Sequence, residues 1–157
     1  MLRIEAVRKE FPGGAVPVVA LDAVDLEIER GEFVTLVGPS GCGKSSLLTL
    51  ISGLAAASAG RIRINGRDIT GADRDVGFIT QQDNLFPWRS LADNVALSLE
   101  LAGVPAKVRR READRWIKRV GLEGFEQAYP HELSGGMRQR ANIIRTLIYE
   151  PSVILMD

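Results

Sequence analysis

The sequence predicts a mixed α/β fold: a β-rich part, about residues 1–82 with 151–157, interrupted by a helical part, about 83–150. Three observations predict it. Period-2 alternation and short apolar runs fall outside 83–150, and stripes at helical spacing fall inside it. A glycine-rich loop joins an apolar run to a helix, the strand–loop–helix order of α/β proteins. A chain of 157 residues, 45% of them apolar, suits one medium domain with a real core.

Taken in order, Leu2–Val7 alternates as a short strand, and Phe11–Gly14 reads as a loop. Val24, Leu26 and Ile28 alternate with acidic residues, a half-buried strand. Phe33–Val37 is almost wholly apolar and predicts a strand buried on both faces. Lys44 to about Leu54 predicts a helix. Arg61–Ile64 and Arg67–Ile69 flank Asn65-Gly66, a type I′ hairpin signal. Ser90-Leu-Ala-Asp93 is a capping-box variant opening a helix to about Ala102, with Gly103 past its end. Pro105 suits a first helical position. Ala113, Trp116, Ile117 and Val120 form the apolar stripe of the helix that Gly121 closes. A third helix is predicted to start near Ser134 and to end by Glu150, because Pro151 cannot continue it, with Ile143, Ile144, Leu147 and Ile148 its buried face. Ser152–Met156 returns to a β-type run.

Composition excludes several function classes. Twenty basic and twenty acidic residues cancel, so no global field draws the chain to nucleic acid or anionic lipid. A single cysteine, Cys42, forms no internal disulfide and fits a reducing compartment. No apolar run approaches the roughly 20 residues that span a bilayer. The charged segment Met1–Glu10 is not a signal peptide. A cytoplasmic location is expected, with any membrane work done through a partner.

Gly38-Pro39-Ser40-Gly41-Cys42-Gly43-Lys44-Ser45 fits G-x-x-x-x-G-K-[ST], a phosphate-binding loop. The glycines let successive N–H groups point at phosphate oxygens, and the helix start adds its dipole. Lys44 reaches the β- and γ-phosphates, and Ser45 ligates Mg²⁺. Average residue usage gives about four chance matches in 10⁵ starts, so a chance turn is disfavoured. Cys42 reads as a small side chain that fits the loop, with a redox role the alternative. A second motif, Leu133-Ser134-Gly135-Gly136, opens the third helix and can hold another anion. Lys44 and Ser134 lie 90 positions apart, so one chain need not bring both to one nucleotide, whereas two chains packed head to tail could; an ordinary serine N-cap is the alternative for Ser134.

With both motifs, the whole chain resembles ATP-binding cassette (ABC) transporter subunits. Gly38–Ser45 looks like their Walker A loop, with Ser46 where Thr is usual. Leu133–Met137 looks like their signature, with Met137 where Gln is commonest. The resemblance implies a P-loop NTPase (RecA-like) core with an N-terminal antiparallel β part, an inserted helical signature subdomain and an incomplete central sheet. It implies ATP and Mg²⁺ as cofactors. Gln81 matches the glutamine that senses Mg²⁺ and the γ-phosphate, with Gln82 the other candidate. Phe11 matches the residue that stacks on adenine, or else anchors a loop. Val153–Asp157 looks like the start of Walker B, so Asp157 joins Ser45 and Gln81 as a metal-site residue.

Leu85-Phe-Pro-Trp88 and Tyr129–Arg140 are similar to importers of nitrate, sulfonates and taurine. Implied partners are a second ATP-binding subunit, transmembrane permease subunits and, indirectly, a solute-binding protein, at the inner face of the membrane. Phe86–Trp88 lies where the family docks its membrane subunit, or packs a helix. Arg109, Arg110 and Arg111 read as a solvated face. Arg138, Arg140 and Arg145 read as supports for the signature helix or contacts to a partner.

The family's glutamate after Walker B and its switch histidine have no counterpart here; His131 precedes the signature and reads as a loop residue. A fragment of a longer subunit is therefore expected. General-base loss costs about 10²–10⁴-fold in rate. The family places a later strand between its Walker A and Walker B strands. Without it, Phe33–Val37 and Ser152–Met156 are expected about 10 Å apart, and the chain alone unstable or aggregation-prone. A non-catalytic nucleotide-binding module and a soluble ABC ATPase acting on DNA or ribosomes are the alternatives; Leu133–Gly136 disfavours a P-loop small-molecule kinase.

Overall fold

Alternation of Leu2 and Ile4 with Arg3 and Glu5 builds β1 (Leu2–Phe11), the first strand of a four-stranded antiparallel sheet. The computed structural model describes residues 1–13 and 16–157, so Gly14, the end of the expected Phe11–Gly14 loop, lies outside the described residues. Phe11 closes β1 opposite Val18 rather than opening a loop. The other strands are β2 (Val18–Ile28), β3 (Ala59–Ile64) and β4 (Arg67–Asp68), in the order β2-β1-β3-β4. Leu2 pairs with Ile28 and Ile64, and Ile4 with Leu26 and Ile62, so period 2 puts Leu2, Ile4, Ile62 and Ile64 on one buried face.

The register of β1 shifts between Ile4 and Val7, where Ala6 adopts φ 45°. The Ala6 N–H donates to the Asp25 carboxylate at 2.7 Å. Gly60, at φ 79°, passes this bulge so closely that a Cβ there would lie 2.3 Å from the Ala6 carbonyl oxygen. The β3–β4 turn has Asn65 at φ 51° and Gly66 at φ 81°, both positive as a type I′ turn requires. After the glycine-rich loop, α1 (Lys44–Ile51) buries Leu47, Leu50 and Ile51. It stops short of the expected Leu54, which is exposed.

Phe33–Val37 is a correction. No strand is assigned there; Phe33 and Val37 are each 89% exposed, and the segment enters no described ladder. A strand is stabilised by its neighbours' hydrogen bonds, and an apolar run without them gains nothing from extended pairing. The 152–156 run forms β6 (Val153–Met156), which among the described residues pairs with β5 (Val76–Ile79).

The helical segment contains α2 (Leu91–Leu101), α3 (Ala106–Arg119) and α4 (Gly135–Leu147). Ser90 caps α2 by accepting the Asp93 N–H, as the capping-box variant predicts. Pro105 is the residue before α3 rather than its first turn. Leu91, Val95, Ala113, Ile117, Leu122, Ala141, Ile144 and Ile148 form the centre of the core. On α4, Ile143 and Leu147 are only half-buried, while Asn142 and Thr146 are buried. Thr146 is satisfied without water, its hydroxyl donating to the Asn142 carbonyl at 3.2 Å.

Two compact units result: Met1–Val76 with Asp157, and Gly77–Met156. No helix among the described residues is long and apolar enough to cross a membrane.

Candidate functional site

The first unit holds Phe11, Gly38–Ser46 and Asp157. The loop before α1 turns through Gly41 at φ 81° and Gly43 at φ 94°. Gly43 has no room for a side chain: its Cβ would sit 2.6 Å from the Ala20 carbonyl oxygen and 2.8 Å from Leu21 Cδ2. Only glycine combines this φ with this approach to β2. Pro39, Ser40, Gly41 and Cys42 stay exposed and Ser46 is half-buried.

The Lys44 ammonium curls over the loop. It donates to the Gly38 and Pro39 carbonyl oxygens, each at 2.8 Å, and reaches Cys42 Sγ at 3.6 Å. It thus lies over the loop where an anion's oxygens would compete with those carbonyls. The Ser45 hydroxyl donates to Asp157 Oδ1 at 2.9 Å. These two residues are 112 positions apart in sequence. A hydroxyl and a carboxylate at that distance are hard oxygen ligands, and Mg²⁺ bound with phosphate takes only one or two protein oxygens. Among the described residues no cluster of three or more His, Cys, Asp or Glu is placed to hold a metal. Phe11 is 43% exposed, with Lys9 Nζ 5.0 Å from its ring centroid, so its ring is accessible for stacking.

The second unit holds Gln81, Ser134, Gly135 and Gly136. Ser134 caps α4, its hydroxyl accepting the Met137 N–H at 3.3 Å. Gly135 and Gly136 are exposed in the first turn. Gln81 and Gln82 both line an open cleft of about 620 Å³ together with Gly135 and Arg138. His131 lies in the short 3₁₀ turn before α4, stacked on Tyr129 with centroids 6.0 Å apart.

Polar residues behind these segments fix them. Arg138 Nε donates to Asp83 Oδ2 at 2.9 Å, and its Nη1 donates to the Leu133 carbonyl at 2.7 Å. Arg145 donates to the carbonyls of Asn84 and Asp83 at 2.8 and 3.0 Å, and to Asn142 Oδ1 at 2.8 Å. Burial pushes the Arg145 pKa down, and the Asp83 charge opposes that. Arg140 donates to the Val120 carbonyl at 2.7 Å. All three arginines are therefore tied within their own unit.

Sequence reasoning missed Asp83, Asn94 and Asn142. Asn94 is fully buried: it accepts the Phe86 N–H at 2.7 Å and donates to the Phe86, Arg89 and Ser90 carbonyls at 3.0–3.1 Å. It thereby shapes the loop that leaves Trp88 70% exposed, 5.1 Å from the Phe86 ring. A polar residue inside the apolar stripe of α2 was the available signal.

Comparison with known proteins agrees with this geometry. The family model described as ABC transporter matches residues 21–157. The chain is 46% identical to an uncharacterised ABC transporter ATP-binding protein, MJ0412, of Methanocaldococcus jannaschii, over 99% of this chain and 58% of that protein. It is 46% identical to the aliphatic sulfonates import ATP-binding protein SsuB of Bacillus licheniformis, over 99% of this chain and 60% of the relative. It is 45% identical to the nitrate import ATP-binding protein NrtD of Synechocystis sp., over 99% and 59%. The chain thus spans about 60% of the length of these curated relatives. A dimeric structure of the ATP-binding cassette MJ0796, in a post-hydrolysis state bound to ADP and Pi, superposes with TM-score 0.89 at 35% identity, covering all of this chain and 73% of that one. The glycine loop, the Ser45–Asp157 pair, the α/β architecture and a family match over residues 21–157 lead to one conclusion: the chain belongs to the ABC transporter family.

Proposed function

We propose that the chain is the ATP-binding part of an ABC importer subunit that couples ATP binding and hydrolysis to uptake of a small anion of the nitrate, sulfonate or taurine kind. The observation that carries the reading is the Ser45–Asp157 hydrogen bond beside the glycine loop, which unites two residues expected at one Mg²⁺. Similarity to the sulfonate and nitrate import ATP-binding proteins supports the solute class.

In this reading the loop N–H groups of 38–45 bind the triphosphate, and the helix start adds favourable potential. Lys44 exchanges its two carbonyl partners for phosphate oxygens, which offer full charge where the carbonyls offer a dipole. Ser45 and, through water, Asp157 would hold Mg²⁺, which when bound supplies positive charge that offsets the triphosphate. Phe11 stacks on the adenine, and Gln81 orients toward the metal and γ-phosphate. Ser134, Gly135 and Gly136 serve the nucleotide of a second, head-to-tail subunit. The dimeric state named for the MJ0796 cassette supports that arrangement. The functional partition is a nucleotide-binding core of 1–82 with 151–157 and a signature subdomain of 83–150. Permease subunits at the inner membrane face, with a solute-binding protein acting through them, complete the assembly; nucleic acid is not a partner.

The test is equilibrium ATP binding, by calorimetry, to the chain and to Lys44→Ala. Loss of at least about tenfold in affinity is expected, one charge-assisted bond's worth. Affinity independent of Lys44 overturns the reading.

A further inference from the structure

We propose that Asp83, Arg138 and Arg145 are positioning residues that lock the Gln81 segment to the helix opened by Ser134, so that the two open and close as one body. The role of Gln81 rests on the nucleotide-binding reading; the locking itself does not.

The tethers are specific. One guanidinium, that of Arg138, spans both segments: Nε engages the Asp83 carboxylate, two residues after Gln81, and Nη1 engages the carbonyl of Leu133, the residue before Ser134. A planar fork can make both bonds at once, and a lysine ammonium cannot hold that geometry. Arg145 lies seven residues further along α4, two turns on and on the same face. It grips the carbonyls of Asp83 and Asn84. Asn84 sits at φ 47°, a left-handed conformation that turns the chain and needs outside support in a non-glycine residue. Asn142, held by Arg145, donates to the Thr80 carbonyl at 3.5 Å. Residues 80, 83 and 84 are thus fixed to α4, while Gln81 stays exposed on the cleft it shares with Gly135. The Arg138–Asp83 pair is about one-third exposed, screened enough to break and shielded enough to matter. The consequence is mechanical: a ligand that orders residue 81 orders the start of α4 as well.

Hydrogen exchange by mass spectrometry on the chain tests the locking. In Arg138→Ala, exchange over 80–85 and over 133–137 is expected to rise together, by about 3- to 10-fold. Arg138→Lys is expected not to restore it. Asp83→Asn, a milder change that keeps the Leu133 bond, is expected to be non-additive with Arg138→Gln. A rise confined to one segment, or simple additivity, overturns the proposal. Positioning is read from the gain in ATP affinity on adding Mg²⁺. Asp83→Asn is expected to shrink that gain as Gln81→Ala does, leaving affinity in chelator unchanged. A gain untouched by Asp83→Asn overturns the positioning role. If Lys44→Ala changes nothing, the nucleotide-binding reading fails instead, and the exchange result still decides the locking.

Discussion

At the scale of single residues, the chemistry concentrates in side chains whose partners lie far away in sequence. Ser45 and Asp157 meet across 112 positions, and each alone is an exposed polar residue of no special character. In the proposed reading Ser45 would supply one of the six oxygens around an octahedral Mg²⁺, and Asp157 would hold the ion through water. Ser45→Ala is expected to reduce the Mg²⁺-dependent part of ATP affinity by about 10- to 100-fold, since a bond to a charged group is lost. Titration with and without magnesium checks this. Asn94 is the structural counterpart. It accepts the Phe86 N–H and donates to three carbonyls, of which those of Phe86 and Ser90 also accept the Arg89 and Asn94 backbone N–H groups, so the Phe86 N–H and the Arg89 carbonyl depend on it most. Asn94→Leu keeps the branched shape and removes the bonds, and is expected to cost about 3 kcal/mol in urea unfolding, chiefly from the part-buried Phe86 N–H left unpaired. It should also loosen the loop bearing Trp88, visible as a change in tryptophan emission. Asn94 was legible only as a misfit in an apolar stripe; which backbone groups it serves depends on how the 86–90 loop folds back, and no local pattern encodes that.

At the scale of elements, local signals were reliable where the element carries its own stabilisation. The Asn65-Gly66 turn and the Ser90 and Ser134 caps are short-range devices, and each appears where the sequence places it, whereas the buried face of α4 turns toward Asn142 and Thr146. Bounds and packing that depend on distant partners were not legible. The bulge at Ala6 needs Asp25 and Gly60, one from each flanking segment. Gly60→Ala is expected to cost more than about 2 kcal/mol, because a Cβ meets backbone and φ 79° is strained for alanine. Thermal melting checks it, with Gly66→Ala, which meets nothing nearby, as the milder comparison. The helical unit also carries a pH signature. The Arg89 hydrogen bond holds the Glu100 carboxyl below its ordinary range, and the Gly124 N–H does the same for Glu126. A carboxyl lowered on folding binds fewer protons in the native state, so its stabilisation is complete above the unfolded value, about 4.3, and drains as pH falls through the lowered folded value. Unfolding of residues 77–156, followed by amide exchange, is therefore expected to accelerate below about pH 4.3, and Glu126→Gln to flatten that dependence.

At the scale of the whole molecule, the motifs announced the family because a phosphate loop and a serine–glycine helix start are both contiguous in sequence. The sheet was less legible because a parallel, doubly buried strand owes its existence to neighbours. Phe33–Val37 has the composition of such a strand and none of its hydrogen bonds, and it leaves Phe33 and Val37 almost fully exposed directly before the phosphate loop. An apolar segment with open backbone groups is a template for pairing with another chain. The 157-residue polypeptide is therefore expected to self-associate in sedimentation, increasingly with concentration. Phe33→Lys should reduce that association without lowering ATP affinity, since the substitution lies outside residues 38–45. A chimera that continues past Asp157 with the corresponding portion of the Bacillus licheniformis relative is expected to sediment as a discrete species and to melt cooperatively at higher temperature, because the added chain offers Phe33–Val37 strands to pair with. A compact monomer with a cooperative melt from the 157-residue chain itself would show that this run is accommodated without new neighbours, and the link from exposed apolar strand to association would be lost.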